Sequence, residues 1–403
     1  MLRTFSSLRH RDFRYLWTGI VLMSAGQWVQ QVTLGWLLYD LTGSSVLLGA
    51  LNGVRALPFL VCSPIAGVAA DRLDRRGLML KTEYLLVATA LGMGTLVASG
   101  LVQVWHLFVF VLVTGVAWSF NEPIRQSLVP SMVPKEELMN AVALNSAGFN
   151  LNKVIGPAVG GLLIAAFGPG GNFFVQALAY AGVVASIYAM RVPPTPVQAR
   201  QTSVLANLKE GFSYVWSTPL VLALIVTDLV PRVFAVPYQA LMPVFQKDVL
   251  GVGPEGLGLL MAAPGVGAVL ATLLLASLAY RFRRKGLLML GALISLGVFL
   301  ILFSRTDSFP LALAALVGVG GCQIMFMATT NAMVQMIVPD ELRGRVMSLY
   351  MLDRGLMPAG SLLAGVTAHF VGAPATVSAM GVIVIILALC VAWRIPIIRK
   401  IET

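Results

Sequence analysis

Seven charged side chains lie inside long apolar stretches of this chain, where a charge is costly unless it faces a partner or water. Three are acids and four are bases: Glu122, Asp228, Asp353, Arg55, Lys153, Arg232 and Arg354. Proton coupling requires a carboxylate that gains and loses its charge inside a cavity. Asp228, Glu122 and Asp353 are therefore the proton-coupling candidates, in that order, and the four bases are candidate cavity charges.

Two spacings leave alternatives open for these charges. Asp228 and Arg232 are four residues apart on one helix face, so the two can simply neutralise each other. Lys153 falls near the middle of its apolar run and needs an acid, for which all three carboxylates are candidates.

Aromatic and methionine side chains surround the charges along the same runs. Such a wall suits bulky amphipathic ligands, although lipid-facing helices carry the same residues. The candidate wall residues are Trp28, Trp36, Trp118, Phe149, Phe234, Tyr238 and Met325.

Composition and charge indicate a membrane protein. Apolar residues make up 58% of the chain and charged residues 11%, against about 25% charged in soluble domains. The net charge of +11 comes from basic residues in short turns, which orients membrane helices and excludes nucleic-acid binding. The basic N-terminus has no small-residue cleavage site, so we expect the first helix to be retained.

Twelve runs of about 20 apolar residues predict twelve transmembrane helices in an all-α fold. Most basic residues fall on one side, which makes both termini cytoplasmic. The longest interruption separates two six-helix bundles, 1–190 and 218–403, and its residues 191–217 include a short amphipathic helix at the cytoplasmic interface. The predicted spans are 14–39, 46–70, 79–99, 105–126, 138–167, 172–190, 218–246, 256–280, 286–304, 309–336, 343–370 and 374–394.

A cluster of charged residues lies at the end of the second apolar run. Its pattern is Gly67, three residues, Asp71 and Arg72, then Arg75 and Arg76. This spacing resembles the loop 2–3 signature of the major facilitator superfamily, whose fold is two pseudo-symmetric six-helix bundles. The resemblance implies a cytoplasmic gate in which Asp71 pairs with Arg75, with Arg125 or with a helix N-terminus. The gate residues are then Asp71, Arg72, Arg75, Arg76, Arg125 and Arg343.

A second motif resembles that of drug:proton antiporters. Gly156, Pro157, Gly160 and Gly161 match Gly-Pro-x-x-Gly-Gly, with Asn152 in place of the usual upstream glycine. In antiporters the implied role is a tight, hinging contact between the two halves. Together with the stretch from Pro339 to Val346, this motif resembles one exporter branch of the superfamily. That branch includes macrolide and siderophore exporters such as the enterobactin exporter.

The resemblance implies a proton-coupled antiporter that exports a small amphipathic molecule, drug-like or a siderophore, by alternating access. The alternatives are a lipid or lysolipid flippase on the same fold and a transport-dead membrane sensor. An enzyme is excluded because the three histidines sit at membrane edges without a carboxylate cluster or metal spacing. We expect a monomer in the bacterial inner membrane, with protons and lipids as partners and no metal or cofactor.

Overall fold

The computed structural model describes residues 3–72, 74–192, 204–278, 284–352 and 357–399, which are almost entirely helical. The helices are α1 Arg11–Thr42, α2 Ser45–Arg72, α3 Arg75–Ala98, α4 Val104–Leu128, α5 Leu138–Ala189, α6 Val204–Ser217, α7 Pro219–Phe234, α8 Pro254–Leu278, α9 Lys285–Ser304, α10 Phe309–Ile337, α11 Asp340–Leu352, α12 Met357–Val371, α13 Ala373–Arg394 and α14 Pro396–Arg399. The all-α membrane fold is confirmed.

Local chemistry sets several helix ends. Gly43 ends α1 with φ of 60°, a conformation that glycine adopts without steric cost. Asp74 caps α3 by accepting hydrogen bonds from the backbone N–H groups of Arg76 and Gly77. Pro219 begins α7 directly after Thr218, although the Thr218 side chain makes no capping bond.

One long helical segment covers two of the predicted spans. α5 runs from Leu138 to Ala189, and Gly168 interrupts it with φ of 68° and ψ of 174°. That conformation is essentially restricted to glycine, and Pro169 follows it directly. The break falls between the predicted spans 138–167 and 172–190, so a glycine turn without a loop joins these two helices.

Seven helical segments within the described residues are long and apolar enough to cross a membrane. They include Val104–Ser131, Pro219–Val249 and Phe309–Ile337. The predicted short helix of the central interruption is present as α6, and its Phe212 and Trp216 rings are exposed and stacked with centroids 5.9 Å apart. The count of twelve spans and the side on which the termini lie remain predictions.

The chain divides into two compact units. Unit 1 contains Met1–Gly43, Val54–Gln198 and Val252–Ala262. Its core includes Phe13, Trp118 and Tyr180, and the rings of Phe110 and Phe173 meet edge to face at 5.4 Å.

Unit 2 contains Ser44–Gly53, Ala199–Gly251 and Ala263–Thr403. Glycines allow its helices to approach closely, since a Cβ at Gly297 of α9 would lie 2.6 Å from the carbonyl oxygen of Gly381 on α13. The first turn of α2 packs on α12 in the same way, and the Ser45 hydroxyl donates to the carbonyl of Gly365 at 2.9 Å.

Candidate functional site

A buried ion pair in unit 1 joins α3 to α4. Arg125 Nη2 donates to Glu83 Oε1 at 2.8 Å, and both side chains are buried. Asn121, one turn before Arg125 on α4, donates to the same carboxylate oxygen at 2.8 Å and accepts from Arg125 Nε at 2.9 Å. Further hydrogen bonds stabilise a buried pair, and Asn121 provides one to each partner.

One oxygen of Glu83 and one nitrogen of Arg125 show what surrounds this ion pair. Glu83 Oε2 is buried and has no hydrogen-bond partner among the described residues. A Cβ at Gly19 of α1 would lie 3.3 Å from Arg125 Nη1, so the small residue leaves room for the guanidinium. The cluster therefore holds one free carboxylate oxygen at the junction of three helices.

Sequence reasoning missed Glu83. The sequence makes Arg125 one of three possible partners of Asp71, and among the described residues Arg125 pairs with Glu83. A signal was present, because Asn121 and Arg125 are four residues apart on an apolar helix and both need an acceptor at membrane depth.

A second buried ion pair lies in unit 2. Arg232 Nε donates to Asp228 Oδ2 at 2.9 Å within α7, and the Tyr350 hydroxyl of α11 donates to Asp228 Oδ1 at 3.1 Å. Asp228 is 1% exposed and Arg232 is 8% exposed. Both carboxylate oxygens are therefore engaged by donors from two helices.

A cavity of about 740 Å³ adjoins this second pair. That volume lies within the range of about 300–1,000 Å³ typical of sites for small molecules. Two guanidinium groups and two side-chain amides are combined there with methionine and alanine surface. The lining residues are Arg232, Ile324, Met327, Ala328, Asn331, Ala332, Gln335, Met336, Arg343 and Tyr350.

The predicted gate residues are described only in part. The side chains of Asp71 and Arg72 lie outside the described residues, and Arg75 is half-buried at the start of α3. Arg76 Nη2 donates to the carbonyl of Tyr188 at 3.0 Å. Arg343 donates to the carbonyl of Gln335 at 3.1 Å and pairs with Asp340.

The glycine motif of α5 divides between two neighbours. A Cβ at Gly156 would lie 2.6 Å from Cβ of Trp28, and one at Gly160 would lie 3.3 Å from Cα of Val29, so both glycines face α1 inside unit 1. Pro157 is buried between them. A Cβ at Gly161 would lie 2.9 Å from Cα of Gly258 on α8, within the part of α8 that belongs to unit 1. Gly156 and Gly160 therefore contact α1 within the predicted bundle 1–190, whereas Gly161 contacts α8, which belongs to the predicted bundle 218–403.

The remaining intramembrane charges are less buried. Glu122 is exposed and accepts a hydrogen bond from Gln126 Nε2 at 2.9 Å. Arg55 and Lys153 are half-buried, and no ion pair involves either of them in the part of the chain that the structure describes. Asp353 and Arg354 lie outside the described residues.

The predicted wall residues differ in exposure. Trp118 and Tyr238 are buried, and the Tyr238 ring packs against Phe303 with centroids 6.3 Å apart. Phe149 is exposed, whereas Trp28, Trp36, Phe234 and Met325 are half-buried. Met327, two residues after Met325 on α10, lines the cavity of unit 2.

Comparisons with known proteins point to transport. A family model described as transmembrane secretion effector matches residues 2–402. The multidrug efflux pump Tap of Mycolicibacterium fortuitum is 28% identical over 94% of each chain. The staphyloferrin A transporter of Staphylococcus aureus is 25% identical over 92% of each chain.

Solved structures share the fold. The nucleoside transporter NupG covers 97% of this chain and 99% of its own, with a TM-score of 0.74 at 12% identity. A bacterial homologue of the human lysosomal transporter Spinster also gives a TM-score of 0.74, at 16% identity over 96% of this chain and 98% of its own.

Proposed function

Because the chain belongs to the transmembrane secretion effector family of major facilitator transporters, we propose that it exports a small amphipathic molecule in exchange for protons. It acts as a monomer in the bacterial inner membrane. Relatives named as a multidrug efflux pump and a siderophore transporter support export of a drug-like compound or a siderophore.

The observation that carries the proposal is the position of Asp228. This carboxylate is buried, and its ion-pair partner Arg232 lines the cavity of about 740 Å³. An acid at membrane depth next to a ligand-sized cavity is a functional candidate by default. Asp228 is therefore the proposed coupling acid, ahead of Glu122 and Asp353.

Protonation of Asp228 changes the cavity wall. The charged carboxylate forms an ion pair with Arg232, whereas the neutral carboxyl removes one negative charge from beside the cavity. The free energy of substrate binding there depends on that charge, so proton binding and substrate binding are linked. Such linkage is what exchange of a proton for a substrate requires.

The other predicted features complete the cycle. Residues 1–190 and 218–403 act as two bundles that alternate around the substrate site, joined by residues 191–217. Asp71, Arg72, Arg75, Arg76 and Arg343 close the cytoplasmic gate. Gly156, Pro157, Gly160 and Gly161 keep α5 closely packed while the bundles move.

Transport by purified protein in vesicles tests the proposal. The lumen is made acidic, and uptake is measured for three fluorescent amphiphiles, namely dansyl-phenylalanine, its neutral amide and the cation ethidium. We expect at least one probe to accumulate against its gradient and to stop doing so when the pH gradient is collapsed. Asp228→Asn abolishes accumulation and retains downhill exchange.

Matched variants distinguish coupling from damage. Asp228→Glu keeps the charge and retains accumulation, and Glu122→Gln removes an exposed carboxylate and also retains it. Accumulation by Asp228→Asn equal to that of the parent protein, or no accumulation of any probe by the parent, would contradict the proposal.

A further inference from the structure

Arg55 is a cation without an acid in unit 1. It lies in the first half of α2, where Nη1 donates to Gln31 Oε1 at 3.3 Å and the guanidinium stands 5.3 Å from the centroid of the Trp118 ring. Neither neighbour carries a charge, and no ion pair of Arg55 occurs in the described ranges. A guanidinium stays charged in proteins, so among the described residues this charge has no acid to balance it.

Lys153 is a second such cation on α5. Phe149 and Gly156 lie four residues before it and three after it, so the three share one stripe of the helix. That stripe faces Trp28 of α1, because the Phe149 and Trp28 rings are 6.5 Å apart and a Cβ at Gly156 would touch Trp28. Lys153 therefore lies beside the same helix that Arg55 reaches.

One face of α1 connects the two cations. Trp28 and Gln31 are three residues apart on that face; Arg55 donates to Gln31, and the stripe of α5 that carries Lys153 packs against Trp28 through Phe149 and Gly156. We name Trp28, Gln31, Arg55, Trp118, Phe149 and Lys153 the cationic face of unit 1. The Trp28 indole N–H is buried and has no acceptor among the described residues, which adds an unused donor.

No acid of the described residues forms an ion pair with this face. Glu83 pairs with Arg125, and Glu122 accepts a hydrogen bond from Gln126 at the exposed surface of α4. The face thus offers two positive charges and an indole donor beside aromatic rings. A half-buried cation is stabilised by an acid, and the described residues provide none as an ion-pair partner here.

We propose that the cationic face binds the carboxylate of an anionic amphipathic substrate, whose apolar body packs on Trp28 and Phe149. The substrate supplies an acid that the described residues do not place on this face, and a charge-assisted hydrogen bond to Arg55 is stronger than a neutral one. The inference rests on the proposed export function and adds the chemical class of the substrate.

Equilibrium binding to purified protein tests this class without any gradient. Dansyl-phenylalanine and its amide differ by one carboxylate, and dansyl fluorescence reports binding of either. We expect the acid to bind about tenfold more tightly than the amide, the size of one charged hydrogen bond. Arg55→Gln and Lys153→Gln each lower the affinity for the acid about tenfold and leave that for the amide within about twofold.

Controls separate the charge from the fold. Arg55→Lys and Lys153→Arg keep the charge and retain most of the preference for the acid. Lys81→Gln removes an exposed cation of α3 and leaves the affinities for both probes unchanged. Binding of the amide by each Gln variant shows that the variant is folded.

Three results would overturn the inference: equal affinity of the parent protein for the acid and the amide, no binding of either probe, or a full preference for the acid in the double variant Arg55→Gln with Lys153→Gln. Failure of the export proposal is recognised separately. If the protein prefers the acid but accumulates no probe in vesicles, the proposed anion site is supported and the proposed export function is contradicted.

Discussion

In both buried ion-pair clusters, an arginine and a neutral donor bind the acid. Asn121 assists the Glu83–Arg125 pair, and Tyr350 assists the Asp228–Arg232 pair. Asn121 shares Oε1 of Glu83 with Arg125, whereas Tyr350 binds the Asp228 oxygen that Arg232 leaves open. Removal of one charge of a buried pair takes that ion-pair contact away from its partner. Stability and transport can therefore be separated at these positions by the choice of substitution.

Glu83→Gln should destabilise the protein. It removes the charge opposite Arg125, which is buried, and breaking one side of a buried pair costs about 3–5 kcal/mol. The measurement is the thermal unfolding midpoint in detergent, followed by circular dichroism. Glu122→Gln is the control, because an exposed substitution changes stability by only about 0.5 kcal/mol or less. A midpoint for Glu83→Gln equal to that of Glu122→Gln would exclude a stabilising role of the ion pair.

Tyr350→Phe should remove one hydrogen bond to Asp228 without removing a charge. The lost hydrogen bond is worth about 1–3 kcal/mol, since its acceptor is ionised. With the hydroxyl absent, the carboxylate loses one of its two donors, so the dependence of transport on lumenal pH should change. The shift is measured as uptake against lumenal pH in vesicles, with Tyr84→Phe, an exposed tyrosine of α3, as the control. An unchanged profile would show that Asp228 does not limit proton exchange.

Among the helices, close approach depends on glycines that face a particular neighbour. Gly156→Leu should destabilise unit 1 by about 1–3 kcal/mol or more, because its Cβ would meet Trp28 at 2.6 Å. Val159→Leu adds volume at an exposed position of the same helix and serves as the matched control. We expect a lower unfolding midpoint for Gly156→Leu than for Val159→Leu. Equal midpoints would mean that Gly156 is not packed against α1.

Gly168 is a backbone requirement of α5. Gly168→Ala should cost about 1–3 kcal/mol, because φ of 68° with ψ of 174° is a region that side chains rarely enter. Gly92→Ala is the matched control, since its added methyl group meets no atom within 4 Å and alanine favours helix. We expect the unfolding midpoint to fall for Gly168→Ala and to stay or rise for Gly92→Ala. The opposite order would show that the break between the two helices is not needed.

At the scale of the whole molecule, the flippase alternative predicts a different transported species. A flippase moves lipid between leaflets, whereas an exporter takes an amphiphile from the cytoplasmic side. We expect purified protein in vesicles to leave fluorescent phospholipid and lysophospholipid in their original leaflets, as judged by dithionite quenching against empty vesicles. Quenching of the inner-leaflet lipid beyond that of empty vesicles would favour the flippase.

Much of the architecture was predictable because it depends on local properties. Run length and hydropathy placed the helices close to their observed ends, as in 309–336 for α10 and 105–126 for α4. The short helix α6 was predicted from the spacing of its apolar residues. The glycine and aspartate motifs identified the family, which the match over residues 2–402 confirms.

The amino-acid sequence by itself determined the all-α membrane fold, the family and the inventory of intramembrane charges, since each follows from residues near one another in the chain. Only the tertiary structure decided that Arg125 pairs with Glu83, that Gly156 and Gly160 face α1, and that Arg232 borders a cavity. The physical reason is that these contacts join helices far apart in sequence, and hydropathy identifies a helix without specifying its neighbour.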